Sequence, residues 1–176
     1  MTTRSKWAAI PGLLVIAAAA TILSAYSGAS SQQGRAPEQP IDFPHPVHAG
    51  TEGAGLQMNC IYCHFSANKS PDAGMPAVST CMGCHTVVAT QSPEIRKLAA
   101  FASNGQPIPW ERIHKVPEYV HFPHVRHVNA GVTCQTCHGE VQTMARVYQA
   151  ESLNMGWCVN CHIERKARYD CASCHY

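Results

Sequence analysis

Five times in 176 residues the chain writes Cys-x-x-Cys-His: Cys60, Cys63 and His64; Cys81, Cys84 and His85; Cys134, Cys137 and His138; Cys158, Cys161 and His162; Cys171, Cys174 and His175. Few patterns constrain a fold so tightly. The two thiols at this spacing attach to the two vinyl groups of one porphyrin, and the adjacent histidine supplies the proximal iron ligand. Structural zinc also uses Cys-x-x-Cys pairs, and small secreted domains use disulfides, but neither needs a histidine after every second cysteine. All 10 cysteines fall inside the motifs. The pattern therefore predicts five covalent c-type haems.

Arg4 and Lys6 are followed by no charged residue until Arg35, and residues 7–26 are almost wholly apolar. About 20 apolar residues suffice to cross the hydrocarbon core as a helix. With the basic residues first, the rest of the chain is expected on the extracytoplasmic side, as a single-pass inner-membrane protein with a periplasmic haem domain. A cleaved signal peptide is the alternative, since Ser27, Gly28, Ala29 and Ser30 offer small residues for cleavage. The length of the apolar run favours an uncleaved anchor over residues 1–26. Residues 27–40, rich in Ser, Gln, Gly and Pro, read as a flexible tether.

Residues 41–176 then form the pentahaem domain. With 12 Gly, 12 Pro and no sustained strand alternation, the chain alone offers little core, so short helices and loops are expected to wrap around stacked porphyrins. The fold class is a multihaem cytochrome c, mostly irregular, plus one N-terminal transmembrane helix. One helix is well marked, with Ser92 as N-cap, Pro93 and Glu94 in the first turn and Gly105 as the stop. Its Ile95, Leu98 and Ala102 are expected inward, with Phe101 alongside. Each motif should also carry a helical turn, because i, i+3 spacing puts both thiols on one face.

An internal repeat organises the domain. Phe43-Pro44-His45-Pro46-Val47-His48 precedes the first two motifs; Phe122-Pro123-His124-Val125-Arg126-His127 precedes the next two. F-P-H-x-x-H followed by two haem sites, twice, suggests two dihaem units with a fifth haem appended. Residues 86–120 separate the halves. The six histidines outside the motifs are His45, His48, His114, His121, His124 and His127, and five haems call for five distal ligands. His45, His48, His124, His127 and His114 are the imidazole candidates. His121 is the least favoured of the six, since the turn that follows it is expected to set its direction, and it returns to the ligands if no methionine serves. One haem is expected to pair His with Met, Met155 being favoured over Met144 because it lies three residues before Cys158. A thioether raises the potential relative to imidazole. A single residue follows His175, and the fifth distal ligand is expected from earlier in the chain or from another subunit.

The F-P-H-x-x-H segments resemble class III multihaem cytochromes. The stretch WERIHKVPEYVHFPHVRHVNAGVTCQTCHG, residues 110–139, together with Met155-Gly156-Trp157-Cys158-Val159-Asn160-Cys161-His162, resembles the membrane-anchored pentahaem subunit of alternative complex III, a quinol:electron-acceptor oxidoreductase. That resemblance implies partners: an iron–sulfur subunit related to molybdopterin enzymes, polytopic quinone-binding subunits and a monohaem cytochrome c.

Six-coordinate haems exchange electrons without binding substrate, so the expected role is an electron-transfer subunit of a membrane oxidoreductase complex and not a catalytic one. A membrane-anchored quinol dehydrogenase would need acidic groups beside a haem near the membrane, where Glu38 and Asp42 are the candidates. A soluble periplasmic shuttle would need the apolar segment to be a signal. At a net charge of +2 no long Lys/Arg run suggests nucleic acid, and no such partner is expected. Arg112, Arg126, Arg146, Arg165 and Arg168 are candidates to pair with haem propionates.

Overall fold

The computed structural model describes residues 9–26, 32–53 and 55–176. Its order is α1 (Ala9–Tyr26), α2 (His45–Ala49), α3 (Cys60–Cys63), α4 (Val78–His85), α5 (Pro93–Ser103), α6 (His124–Asn129), α7 (Cys134–His138) and α8 (Met155–Glu164). Two 3-10 turns, Val141–Thr143 and Cys171–Ser173, complete it. Every Cys-x-x-Cys-His motif carries its helical turn, as i, i+3 thiols require. Among the described residues the only β pairing is an isolated parallel bridge between Gln33 and Gln149.

Helix α1 is apolar on every face and carries no charge, and its Leu14, Val15 and Ile16 are exposed. Its 18 residues rise about 27 Å at 1.5 Å per residue, short of the roughly 30 Å hydrocarbon core. Among the described residues no helix is long and apolar enough to cross a membrane. Trp7 and the small residues 27–30 lie outside the described residues.

The protein core is small. Ile41, Leu98 and Ile108 are buried together, with Val78, Cys81, Met82, Ile95, Phe101 and Trp110 packed around them. This cluster lies where α4, which carries the second motif, packs on α5. Helix α5 begins after Ser92 with Pro93 and Glu94 in its first turn, and Gly105 at φ +63° follows it. Leu98 is the inward residue, at 4% exposure. Ala102 is exposed, correcting the expected inward face; Phe101 fills that place. A second packing contact joins α2 to the Val141–Thr143 turn.

The tether needs correction too. From residue 32 onward it is pinned to the domain. Gly34 N–H donates to Gln149 O at 2.7 Å, Gln33 Nε2 to Ala150 O at 2.8 Å, and Arg35 pairs with Glu111 at 2.9 Å. Gln39 exchanges two hydrogen bonds with the backbone of Glu111, both 3.0 Å, and Asp42 N–H donates to Glu94 Oε2 at 2.8 Å. Composition signalled flexibility, but backbone and amide groups found partners that composition does not display. Gln149, at 0% exposure, anchors the strap by donating to Glu151 O and Ser152 O.

Candidate haem-binding site

Backbone carbonyls orient the histidines. Pro44 caps α2 in an extended conformation, which directs its carbonyl at His48 Nδ1, 3.1 Å away. Pro123 does the same for His127 at 3.0 Å. His64 Nδ1 meets Gly74 O at 2.8 Å, His85 Nδ1 meets Val88 O at 3.1 Å, and His124 Nδ1 meets Pro71 O at 2.8 Å. His175 Nδ1 meets Tyr119 O at 2.9 Å, and His162 Nδ1 meets Arg168 O. A carbonyl can only accept, so in each case Nδ1 carries the proton. Nε2 is left with its lone pair, which is the tautomer that binds a metal.

Three of these carbonyls owe their position to left-handed backbone. Gly74 sits at φ +76°, and a Cβ there would meet Ser66 Oγ at 2.6 Å. Lys166 (φ 54°) turns the chain back after α8 to bring Arg168 to His162, and Ala89 (φ 55°) closes the turn after Val88.

Two imidazoles on opposite sides of one iron have ring centres about 6.3 Å apart, from metal–nitrogen bonds near 2.0–2.1 Å plus roughly 1.1 Å from each nitrogen to its ring centre. Three pairs meet that spacing. His48 and His85 lie 6.1 Å apart, His124 and His138 lie 6.3 Å apart, and His127 and His162 lie 5.9 Å apart. Each joins one histidine of an F-P-H-x-x-H segment to one motif histidine. His45 faces the first motif: burial and then His64 are the main causes that push its pKa down to about 4. Burial, followed by His114, His124 and His64, likewise lowers His138 to about 4. Burial also lowers His114 and His127. Neutral imidazoles are the ligating form, so the donor set fits haem iron. Among the described residues no three His, Cys, Asp or Glu side chains converge as a zinc site would need.

The remaining candidates fall elsewhere. His114 lies edge-to-face on His138 with ring centres 4.3 Å apart, too close for an iron between them, and its buried Nε2 has no hydrogen-bond partner. His121 stacks on Tyr176 at 4.4 Å. Met144 is buried, with Cε against Gly139. Met155 opens α8 and is 68% exposed. Arg168 pairs with Asp170 at 3.0 Å, while Arg112, Arg126, Arg146 and Arg165 are exposed. The orienting carbonyls were not anticipated. Those of Pro44 and Pro123, four residues before the histidine they orient, were in principle readable from the repeat.

Residues 120–176, which hold the second F-P-H-x-x-H segment and the last three motifs, match the family described as cytochrome c7 and related cytochrome c. This part of the chain, with its paired imidazoles, is therefore similar to multihaem c-type cytochromes. Over 146 residues the chain is 28% identical to the multiheme cytochrome c subunit of menaquinone reductase from Nitratidesulfovibrio vulgaris, covering 71% of this chain and 68% of that protein.

Proposed function

We propose that the chain is the electron-relay subunit of a quinone-linked membrane oxidoreductase, carrying five c-type haems. The observation that carries this reading is the set of facing imidazole pairs at 5.9–6.3 Å. Bound haem iron supplies a reversible one-electron couple. The protein's own residues do the rest. Each Cys-x-x-Cys pair would fix one porphyrin covalently, the motif histidine and its facing partner would hold the iron, and the carbonyls at Nδ1 hold all of these rings except those of His45 and His138 in the ligating tautomer. Iron held in this way would be closed to small molecules and would exchange electrons only.

The first four motifs take His45, His48, His124 and His127 as distal ligands, opposite His64, His85, His138 and His162 respectively. For the fifth, opposite His175, we assign Met155. It stands one helical turn before Cys158, on the same face of α8, and Cys158 is a neighbour of Cys174. Its exposed thioether is free to reach an iron, whereas Met144 is locked in packing.

Residues 7–26, of which α1 forms the larger part, serve as the membrane anchor, with the haem domain on the periplasmic side. The charge-free helix supports this. The similarity to a menaquinone reductase subunit supports a quinone-linked complex, and the resemblance to alternative complex III implies polytopic quinone-binding subunits, an iron–sulfur subunit and a monohaem cytochrome c as its partners. Detergent extraction and affinity purification, followed by reduction with a quinol analogue, tests the reading. The expected result is co-purification with polytopic subunits and quinol-dependent reduction of every haem. Release by a salt wash as a free protein that no quinol reduces would refute it.

A further inference from the structure

The motifs are not arranged in space as they are in sequence. Helix α2 lies directly before the first motif and is tied to its approach by Met58 N–H to His48 O, 2.9 Å. Its His48 faces His85 of the second motif at 6.1 Å. The first and second motifs are therefore neighbours through α2. Helix α6 repeats this for the third and fourth, with Val132 N–H to His127 O at 3.1 Å and His127 facing His162 at 5.9 Å.

The joint between the two units decides the order. Helix α6 docks on the loop that follows the first motif. Val125 N–H donates to Ser70 O at 3.1 Å, and His124 N–H to Pro71 O at 2.9 Å. His124 Nδ1 also reaches Pro71 O at 2.8 Å, and Asn129 Nδ2 reaches Asn68 O at 3.3 Å. The fifth motif is tied to the segment leading into α6 by His121 N–H to Cys174 O at 2.8 Å and His175 Nδ1 to Tyr119 O at 2.9 Å.

We infer that the five attachment sites form one unbranched file in the order second, first, third, fourth, fifth, so that the second and fifth motifs are its ends. Thiol neighbours agree at every joint. Cys63 lies near Cys81 and Cys60 near Cys134. Cys158 and Cys161 lie near Cys137, and Cys174 lies near Cys158. Resting on the electron-relay reading above, the file places the donor and acceptor contacts at the second and fifth motifs. An electron crosses it by one-electron exchanges between neighbours, each oxidising one centre and reducing the next, with no bond or proton involved.

Iron positions in an experimental density map of the holoprotein test the order. The first iron is expected to lie between the second and the third, with the second-to-third separation longer than either of the other two. A second iron adjacent to the third, as sequence order would give, overturns the inference, and so does a branched cluster. Redox titration followed by electron paramagnetic resonance gives an independent readout: raising the potential of the second site with His48→Met should shift the midpoint of the first site and leave the third unchanged. A shift at the third and none at the first would overturn the file. Both readouts are separate from the quinone question, since a correct file in a protein that no quinol reduces would refute only the proposed function.

Discussion

The two F-P-H-x-x-H segments are nearly superimposable in their local geometry and differ in one decisive hydrogen bond. Phe43 stacks on His48 at 4.4 Å and meets His45 edge-on at 4.8 Å; Phe122 stacks on His127 at 4.3 Å and meets His124 edge-on at 5.0 Å. In both, the second histidine is oriented by the proline four residues earlier. The first histidine is where they part. His124 Nδ1 reaches Pro71 O in the other unit, whereas His45 Nδ1 is buried without a partner. The motif histidines show the opposite asymmetry. His64 is fixed by Gly74 O, while His138 is packed against the ring of His114. Orientation of the second histidine is thus a local property of six residues, and that of the first depends on how the units dock.

The comparison breaks most visibly on removal of the first histidine. His45→Ala and His124→Ala should each convert one haem from six- to five-coordinate, a loss of about one-fifth of the low-spin intensity in the optical and paramagnetic resonance spectra. Only His124→Ala should also loosen the joint between units, lowering unfolding stability by a further 1 kcal/mol or so through the lost hydrogen bond to Pro71. Equal stability of the two variants would show that the Pro71 contact contributes nothing.

The lack of a partner at His45 Nδ1 should make this imidazole the weaker ligand. Outer-shell hydrogen bonds are worth roughly 10–100-fold in metal affinity, so cyanide titrated into the ferric holoprotein should displace His45 at concentrations lower by about that factor than it displaces His124. Simultaneous displacement would mean that the two sites are equivalent despite their surroundings.

Two glycines sharpen the contrast between the units. Gly74→Ala places a Cβ 2.6 Å from Ser66 Oγ, and Gly139→Ala places one 2.7 Å from Ala150 Cβ and 3.0 Å from Met144 Cε. Each glycine also has positive φ, so each substitution should cost about 1–3 kcal/mol in thermal or denaturant unfolding. Gly74→Ala should in addition shift the midpoint of the first site, whose His64 depends on the Gly74 carbonyl, and Gly139→Ala should leave that midpoint unchanged.

The smallest effect is expected from acid. Burial, above all, holds His45 and His138 down to about 4. A histidine with a depressed folded pKa contributes stability that is fully present above its unfolded value near 6.5 and is lost as pH falls toward the folded value. Because the folded rings gain a proton only near pH 4, ligation in the folded protein should survive acidification from pH 7 to pH 5 with little change in the low-spin spectrum, while unfolding stability falls over the same interval. Loss of one-fifth or more of that spectrum above pH 5 would contradict the burial of these rings.

Much of this was legible in the sequence because the cofactor chemistry is written in contiguous residues. The Cys-x-x-Cys-His spacing, the short helices it demands, the duplicated segment and helix α5 from Ser92 to its glycine stop are all local patterns. The strap was not legible: Gln33, Arg35 and Gln39 look like linker residues, and only their distant partners Gln149 and Glu111 make them structural. His114 was equally opaque, since nothing in its neighbourhood of the chain announces that it will lie against His138. The joint between units was hidden for the same reason, because Ser70 and Pro71 act through backbone carbonyls that every residue possesses.

The central claim is that facing side chains close both axial positions of each iron. Near-infrared magnetic circular dichroism of the ferric holoprotein reads axial ligation directly. The account predicts bis-imidazole bands equivalent to four haems and one weaker thioether band that Met155→Ala abolishes. A spectrum dominated by high-spin or singly ligated haem would contradict it.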